Sequence, residues 1–204
     1  MVRVLIAEDM HILRKALVSL IELEPDLEVV AELSSGDDIV PATVAMRPDV
    51  AVLDIDLPGT DGITAAAALH TTVPECRTLI LTSLGRPGNL RRALAAHVSG
   101  FLPKDADPDS LCAAIRQVAR GERVIDPQLA LATLDSGPSP LTEREREVLQ
   151  LASEGMEAAQ IAGQLHLSSG TVRNYLTAAV GKLNARNRVD AIRIAREAGW
   201  LHPV

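Results

Sequence analysis

Asp54 closes an apolar run, Val50-Ala51-Val52-Leu53, and leads into Ile55-Asp56-Leu57-Pro58-Gly59. Upstream, the run Val2 to Ala7 ends in the acid pair Glu8-Asp9. Downstream, Thr78 to Leu81 ends in Thr82-Ser83, and Gly100-Phe101-Leu102-Pro103 ends in Lys104. Each of these four strand-like runs ends in a group that metal-assisted phosphoryl chemistry uses. In an open parallel sheet the carboxyl ends of the strands form one crevice, so the order gathers three carboxylates, a hydroxyl and an ammonium at one point. Carboxylates brought together raise each other's pKa, and a hard divalent ion is the usual reason for such a grouping. Mg2+ takes one or two carboxylates, a carbonyl, water and phosphate oxygens. Glu8, Asp9 and Asp54 supply the carboxylates, and the backbone carbonyl of Asp56 a further oxygen. Asp54 is then placed to act as a nucleophile and form an acyl phosphate. Mg2+ and Lys104 neutralise the phosphoryl oxygens in the transition state, and the Thr82 hydroxyl is within reach of the new phosphate.

The elements that must position these groups follow an alternating pattern. Strand candidates at 2–7, 27–33, 50–54, 78–82 and 99–102 alternate with helical stretches at about 11–23, 36–46, 61–72, 87–96 and 107–120. Five βα units imply a parallel sheet with helices on both faces. Residues 1–120 are therefore expected to form a doubly wound α/β domain with a five-stranded parallel sheet. Residues 121–140 carry Gly, Pro and Ser at both ends and read as a linker with one helical piece at 127–134. Residues 141–204 read as a small all-α domain. Thr142 to Glu145 fits a capping box that opens a helix ending near Gly155, and further helices fit 157–165, Ser168 to about Leu183, and Arg188 to Ala198. A helix, a short turn and a helix inside a small bundle is the helix-turn-helix arrangement.

The acid pair, the acceptor Asp54, Thr82-Ser83 and Lys104, in that order, resemble the receiver domain of response regulators. The match covers about 120 residues. By that resemblance Asp54 is phosphorylated by a sensor histidine kinase, and Thr82 and Phe101 form a switch pair that moves when phosphate arrives. Ala7-Glu8-Asp9, Arg86-Pro87-Gly88 and the C-terminal half look closest to the DesR-like subgroup of NarL/LuxR-type regulators. Asp54-Ile55-Asp56 also mimics the Asp-x-Asp start of haloacid-dehalogenase-type phosphatases, an Mg2+-dependent alternative that leaves Glu8-Asp9 unexplained. Lys104 in isolation reads as an ordinary surface lysine, but only Lys15, Lys104 and Lys182 occur in the chain, and two of these fall on motif positions. One departure is His97, where the family has a glycine ending the fourth helix at positive φ. Histidine tolerates that region better than most residues, so modest strain is expected there.

Residues 141–201 resemble the LuxR-type helix-turn-helix, through Leu141-Thr142-x-Arg144-Glu145-x-Glu147-Val148-Leu149, Gly155, Ile161-Ala162, Leu165, Leu167-Ser168, Thr171-Val172-Arg173 and Lys182-Leu183. The third helix of this half would enter the major groove. Arg173 and Thr177 lie one turn apart with Asn174 beside them. Arg can read guanine and Asn adenine, each worth about 1–3 kcal/mol of discrimination. Lys182 and Arg188 are assigned to phosphate, and Tyr175 to phosphate contact or packing. Met156-Glu157-Ala158-Ala159 lacks the Ser/Thr cap and the cation usual at the second helix. Ala179 replaces an Ile, and Gly181 costs about 1 kcal/mol inside a helix. A weak monomeric DNA binder that depends on dimerisation is expected, and an interaction module that does not bind DNA stays open as the alternative.

Composition narrows the rest. No apolar run approaches the roughly 20 residues of a membrane span, no signal peptide is visible, and Cys76 and Cys112 follow no disulfide or metal pattern, so a cytoplasmic protein without membrane association is expected. Residues 1–137 carry a net charge of −8 and residues 138–204 a net of +1, as two modules with different partners would. The reading is a transcriptional regulator rather than an enzyme: phosphate on Asp54 drives a homodimer, with helices at 11–21 and 107–119 as its face, onto promoter DNA.

Overall fold

The computed structural model describes residues 1–83, 87–135 and 139–201, so Arg86 of the Arg86-Pro87-Gly88 segment lies outside the described residues. Of the described residues, 1–83 and 90–131 form one compact unit, and 87–89 with those from 132 onward form a second. In the first, strands β1 (Val2–Ala7), β2 (Leu27–Leu33), β3 (Val50–Asp54), β4 (Arg77–Thr82), β5 (Gly100–Pro103) and β6 (Val124–Ile125) alternate with helices α1 (His11–Glu22), α2 (Ile39–Met46), α3 (Gly62–Thr72), α4 (Pro87–Ala95) and α5 (Pro108–Ala119). Helix α6 (Pro127–Asp135) follows β6. All strands pair in parallel in the order β2-β1-β3-β4-β5-β6.

Side chains alternate across a strand, and each buried strand feeds two cores. Val4, Ile6, Val50, Val52, Leu79 and Leu81 join Leu17, Ile21 and Ile115 of α1 and α5. Leu5, Ala7, Ala51, Leu53, Ile80 and Phe101 join Ile39, Ile63, Leu69 and Leu90 of α2, α3 and α4. Both faces of the sheet are covered, which is why β3 is apolar from Val50 to Leu53 rather than alternating. The strand order reverses between β1 and β3, the strands that end in Glu8-Asp9 and Asp54. That switch point is where a doubly wound sheet opens its crevice.

The sheet has six strands where the alternation predicts five. The extra strand lies in the segment read as linker. Val124 N–H donates to the Ser99 carbonyl (2.9 Å) and Asp126 N–H to that of Phe101 (3.1 Å). Ile125 and Leu129 pack against the core that contains Phe101, and Asp126 Oδ1 accepts from the N–H groups of Gln128 and Leu129 at the start of α6. Two residues are too few for a period-2 signal, so main-chain pairing and not hydropathy identifies this strand. His97 has φ 57°, the left-handed conformation its position requires. Its ring stacks on His70 of the α3 terminus with centroids 4.3 Å apart, a contact that glycine could not make.

The second unit is helical: α7 (Glu143–Ser153), α8 (Ala158–Leu165), α9 (Ser169–Lys182) and α10 (Arg188–Glu197). Thr142 N–H donates to Glu145 Oε2 (2.7 Å) and Glu145 N–H to Thr142 Oγ1 (3.3 Å), closing the capping box. Helix α8, expected without a cap, receives one from within: Gln160 Oε1 accepts from Glu157 N–H at 2.8 Å. Left-handed His166 turns the chain into α9, where Ser168 Oγ accepts from Thr171 N–H. Val148, Ile161 and Val172 fill one core, and Leu149, Ala179, Leu183, Ala191 and Ala195 the other.

Asp190 organises the start of α10. The Arg186 main-chain N–H, and then the Arg193 and Arg186 guanidinium groups, hold its carboxyl far below the usual carboxylate range. A depressed carboxylate stabilises fully above its unfolded pKa and loses that contribution as pH falls through its native value. Asp190→Asn should therefore lower the melting temperature of the second unit at neutral pH. The deficit relative to the unaltered chain should shrink below about pH 4, the ordinary aspartate value. Melting curves with the same deficit at pH 7 and pH 2.5 would contradict this.

Candidate functional site

Glu8, Asp9 and Asp54 converge at the carboxyl ends of β1 and β3, with one carboxylate oxygen of each within 4.8 Å of the others. Glu8 and Asp54 are buried and Asp9 is exposed. Lys104 reaches in from the end of β5, its Nζ 2.7 Å from Glu8 Oε2 and 2.9 Å from Asp54 Oδ2. Met10 N–H donates to the other Glu8 oxygen at 3.2 Å. Three carboxylates and one ammonium leave a formal charge of −2, the complement of one divalent cation.

Electrostatics bear the strain of this crowding. Burial pushes the Glu8 carboxyl above its usual value, and the Asp54 charge adds to the rise against the opposing Lys104 ammonium. Burial alone would pull Lys104 down, but its ion pairs with Glu8 and Asp54 outweigh that and raise it. Asp54 Oδ1 is buried with no hydrogen-bond partner among the described residues. A buried carboxylate oxygen without a donor is costly and calls for a ligand. An incoming cation or phosphoryl group would supply one.

The main chain holds Asp54 where it stands. Gly62 N–H donates to the Ile55 carbonyl (3.0 Å), and a Cβ at Gly62 would lie 1.9 Å from the Asp54 carbonyl oxygen. Only glycine lets α3 start this close to the end of β3. Asp61 then caps α3 through the N–H groups of Ile63 and Thr64 and pairs with Arg92 of α4 at 2.9 Å. Thr82 is buried at the end of β4, and its carbonyl accepts from Lys104 N–H at 2.8 Å. Phe101 is buried in β5, in register with Ile80 and Ile125. The Asp56 side chain is exposed and does not join the carboxylate cluster; β3 ends at Asp54, and the bend at Ile55-Asp56 frees residue 56 from the strand alternation that would otherwise place it on the face of Asp54. Its carbonyl accepts no hydrogen bond from the described residues.

In the second unit Arg173, Asn174 and Thr177 stand exposed on α9. Tyr175 is half-buried against the α7–α8 core, so of its two assigned roles the packing one is observed. Lys182 is engaged within its own domain. Its Nζ lies 2.7 Å from Glu145 Oε2, a carboxylate 7% exposed, and that pairing brings the Glu145 carboxyl below its usual value despite burial. The ammonium neutralises a buried acid before it meets any phosphate. Arg188 is half-buried at the start of α10, while its neighbour Arg186 is bound to Asp190. One site residue was missed from sequence: Arg14, whose Nη1 donates to the Glu8 and Asp9 carbonyls.

Known proteins are similar to this chain over nearly its whole length. A family profile described as the response regulator receiver domain matches residues 4–116. A second, described as bacterial regulatory proteins of the luxR family, matches residues 139–195. The transcriptional regulatory protein DesR of Bacillus subtilis is 43% identical over 98% of this chain and 99% of its own length. Response regulator RamR of Streptomyces coelicolor is 42% identical over 98% of each chain. The crystal structure of ChrA, a response regulator of a heme-sensing two-component system, superimposes with a TM-score of 0.60 at 35% identity over 98% of both chains. The chain belongs to the LuxR-family response regulators of two-component systems, with a receiver domain followed by a DNA-binding helix-turn-helix domain.

Proposed function

We propose that the receiver accepts a phosphoryl group on Asp54 from a sensor histidine kinase in an Mg2+-dependent step, and that the product controls promoter binding by the second domain through homodimerisation. The observation that carries this reading is the partnerless, buried Asp54 Oδ1 among converging acids. Glu8, Asp9, Asp54 and the Asp56 carbonyl would hold Mg2+, which when bound supplies charge neutralisation for the phosphoryl oxygens. Lys104 balances the charge of Asp54 before transfer and of the phosphate after it. Thr82, on the strand next to Asp54, would follow the phosphate, and Phe101, on the strand beyond it, would follow Thr82; the adjacency of β3, β4 and β5 supports this. On this reading the receiver occupies 1–120 with its β6 extension, the connection runs to about 140, and the DNA-binding domain follows.

On the DNA side, Arg173, Asn174 and Thr177 read base edges, and Arg188 contacts phosphate. Lys182 contributes less there than its charge suggests, because Glu145 shares it. The alternative phosphatase reading loses support from Asp56, whose exposed side chain stands outside the carboxylate cluster. The chain treated with beryllofluoride and Mg2+ should double in mass by light scattering and shift DNA from its own upstream region. Asp54→Ala should do neither, while Arg173→Ala should dimerise without the shift. Equal mass and equal DNA binding with and without beryllofluoride would overturn the proposal.

A further inference from the structure

Among the three acids, the two neighbours Glu8 and Asp9 are held differently. The Glu8 carboxylate accepts a hydrogen bond from Met10 N–H at one oxygen and forms an ion pair with the Lys104 ammonium at the other. The Asp9 carboxylate is exposed and receives no hydrogen bond or ion pair from the described residues. Its aim at the pocket therefore depends on the main chain that carries it. That main chain is tied at two places. Glu8 N–H donates to the Leu33 carbonyl of β2 at 3.1 Å. On the other side, the Arg14 guanidinium donates from one nitrogen to the carbonyls of both Glu8 (2.5 Å) and Asp9 (3.3 Å). Arg14 sits in the first turn of α1, whose N-cap, Met10, supplies no side-chain cap of its own.

From this geometry we infer that Arg14 is a positioning residue for the divalent cation: it clamps the Glu8–Asp9 main chain so that Asp9 stays aimed at the ion. The inference rests on reading the acid cluster as an Mg2+ site. Electrostatics and positioning make opposite demands here, which is what makes the role testable. A guanidinium beside a cation site repels the cation, so removing its charge should tighten Mg2+ binding if charge were its only contribution. A clamp lost should weaken it. Removing partners that orient metal ligands typically costs about 10–100-fold in metal affinity.

The test titrates Mg2+ alone into the full chain by calorimetry, with thermal unfolding in EDTA to verify folding. Arg14→Met, which keeps the stem and loses charge and donors, should weaken Mg2+ binding about tenfold, at the lower end of that range. Arg14→Lys keeps the charge and one point of attachment and should fall between Met and the unaltered chain. A purely structural role would lower the melting temperature and leave the Mg2+ dissociation constant where it was. Unchanged or tighter Mg2+ binding in Arg14→Met overturns the inference, as does Arg14→Lys binding more weakly than Arg14→Met. Failure of the underlying reading looks different, because the unaltered chain itself would then bind no Mg2+.

Discussion

Phe101→Ala is expected to destabilise the receiver by about 3–5 kcal/mol, the usual cost of emptying a buried aromatic site, and to release the β6–α6 segment from the sheet edge. Phe101 is 1% exposed and one of the largest side chains in its core. Its loss should reach residues 122–131, because the Phe101 carbonyl holds Asp126 N–H and the side chains of Ile125 and Leu129 pack on the same core. Receiver stability would be read from urea unfolding followed by far-ultraviolet circular dichroism. Amide exchange, read by mass spectrometry, should rise in 122–131 by more than in β2, which lies at the far edge of the sheet. A uniform rise over all strands would mean that the segment is not coupled to Phe101 in particular. The coupling bears on the proposed function: β5, which carries Phe101, also holds by main-chain pairing the segment that leads toward the second unit. On the proposed reading, a change at Phe101 would have a physical route of two hydrogen bonds and two packed side chains into that connection.

What the sequence discloses and what it hides divide along physical lines. Strands β1, β3 and β4 are legible because burial on both faces writes an unbroken apolar run into each, and the polar groups that end them mark the crevice. The α7 capping box is legible because both partners lie three residues apart. Contacts whose partners are distant in sequence and have no periodicity are not legible. Lys182 finds Glu145 across the α7–α9 contact, 37 residues away, and no local pattern separates a lysine so engaged from one facing DNA. Arg14 binds main-chain carbonyls, which every residue has, so its type alone carries no signal. Strand β6 exists because its backbone completes an open edge of β5. The His70–His97 stack shows a third case, since the left-handed φ at 97 is readable from the family pattern but the partner ring is not.

Lys104→Ala should cost the receiver about 2–3 kcal/mol without divalent ions, and most of that loss should return in excess Mg2+. Taking one partner from a buried ion pair costs about 3–5 kcal/mol when the other charge has no escape. Here Glu8 has one: its carboxyl is already raised by burial and by Asp54, and losing Lys104 raises it further, so proton uptake relieves the charge increasingly as pH falls. A raised carboxylate is harmless below its unfolded pKa and costs stability as pH rises through its native value. The deficit of Lys104→Ala should therefore be small at pH 5 and larger at pH 8 when measured in EDTA. Mg2+ supplies the missing positive charge, so it should bind the variant more tightly than it binds the unaltered chain. Chemical denaturation at the two pH values, with EDTA or with Mg2+, separates these terms. A deficit that ignores both pH and Mg2+ would place Lys104 outside the electrostatic balance of the pocket and leave its ion pairs with Glu8 and Asp54 as geometry alone. The same balance would let one lysine serve both states of the proposed switch. On the proposed reading it would offset Asp54 before phosphoryl transfer and face a larger negative charge after it, so the ion pair would tighten in the state that must persist.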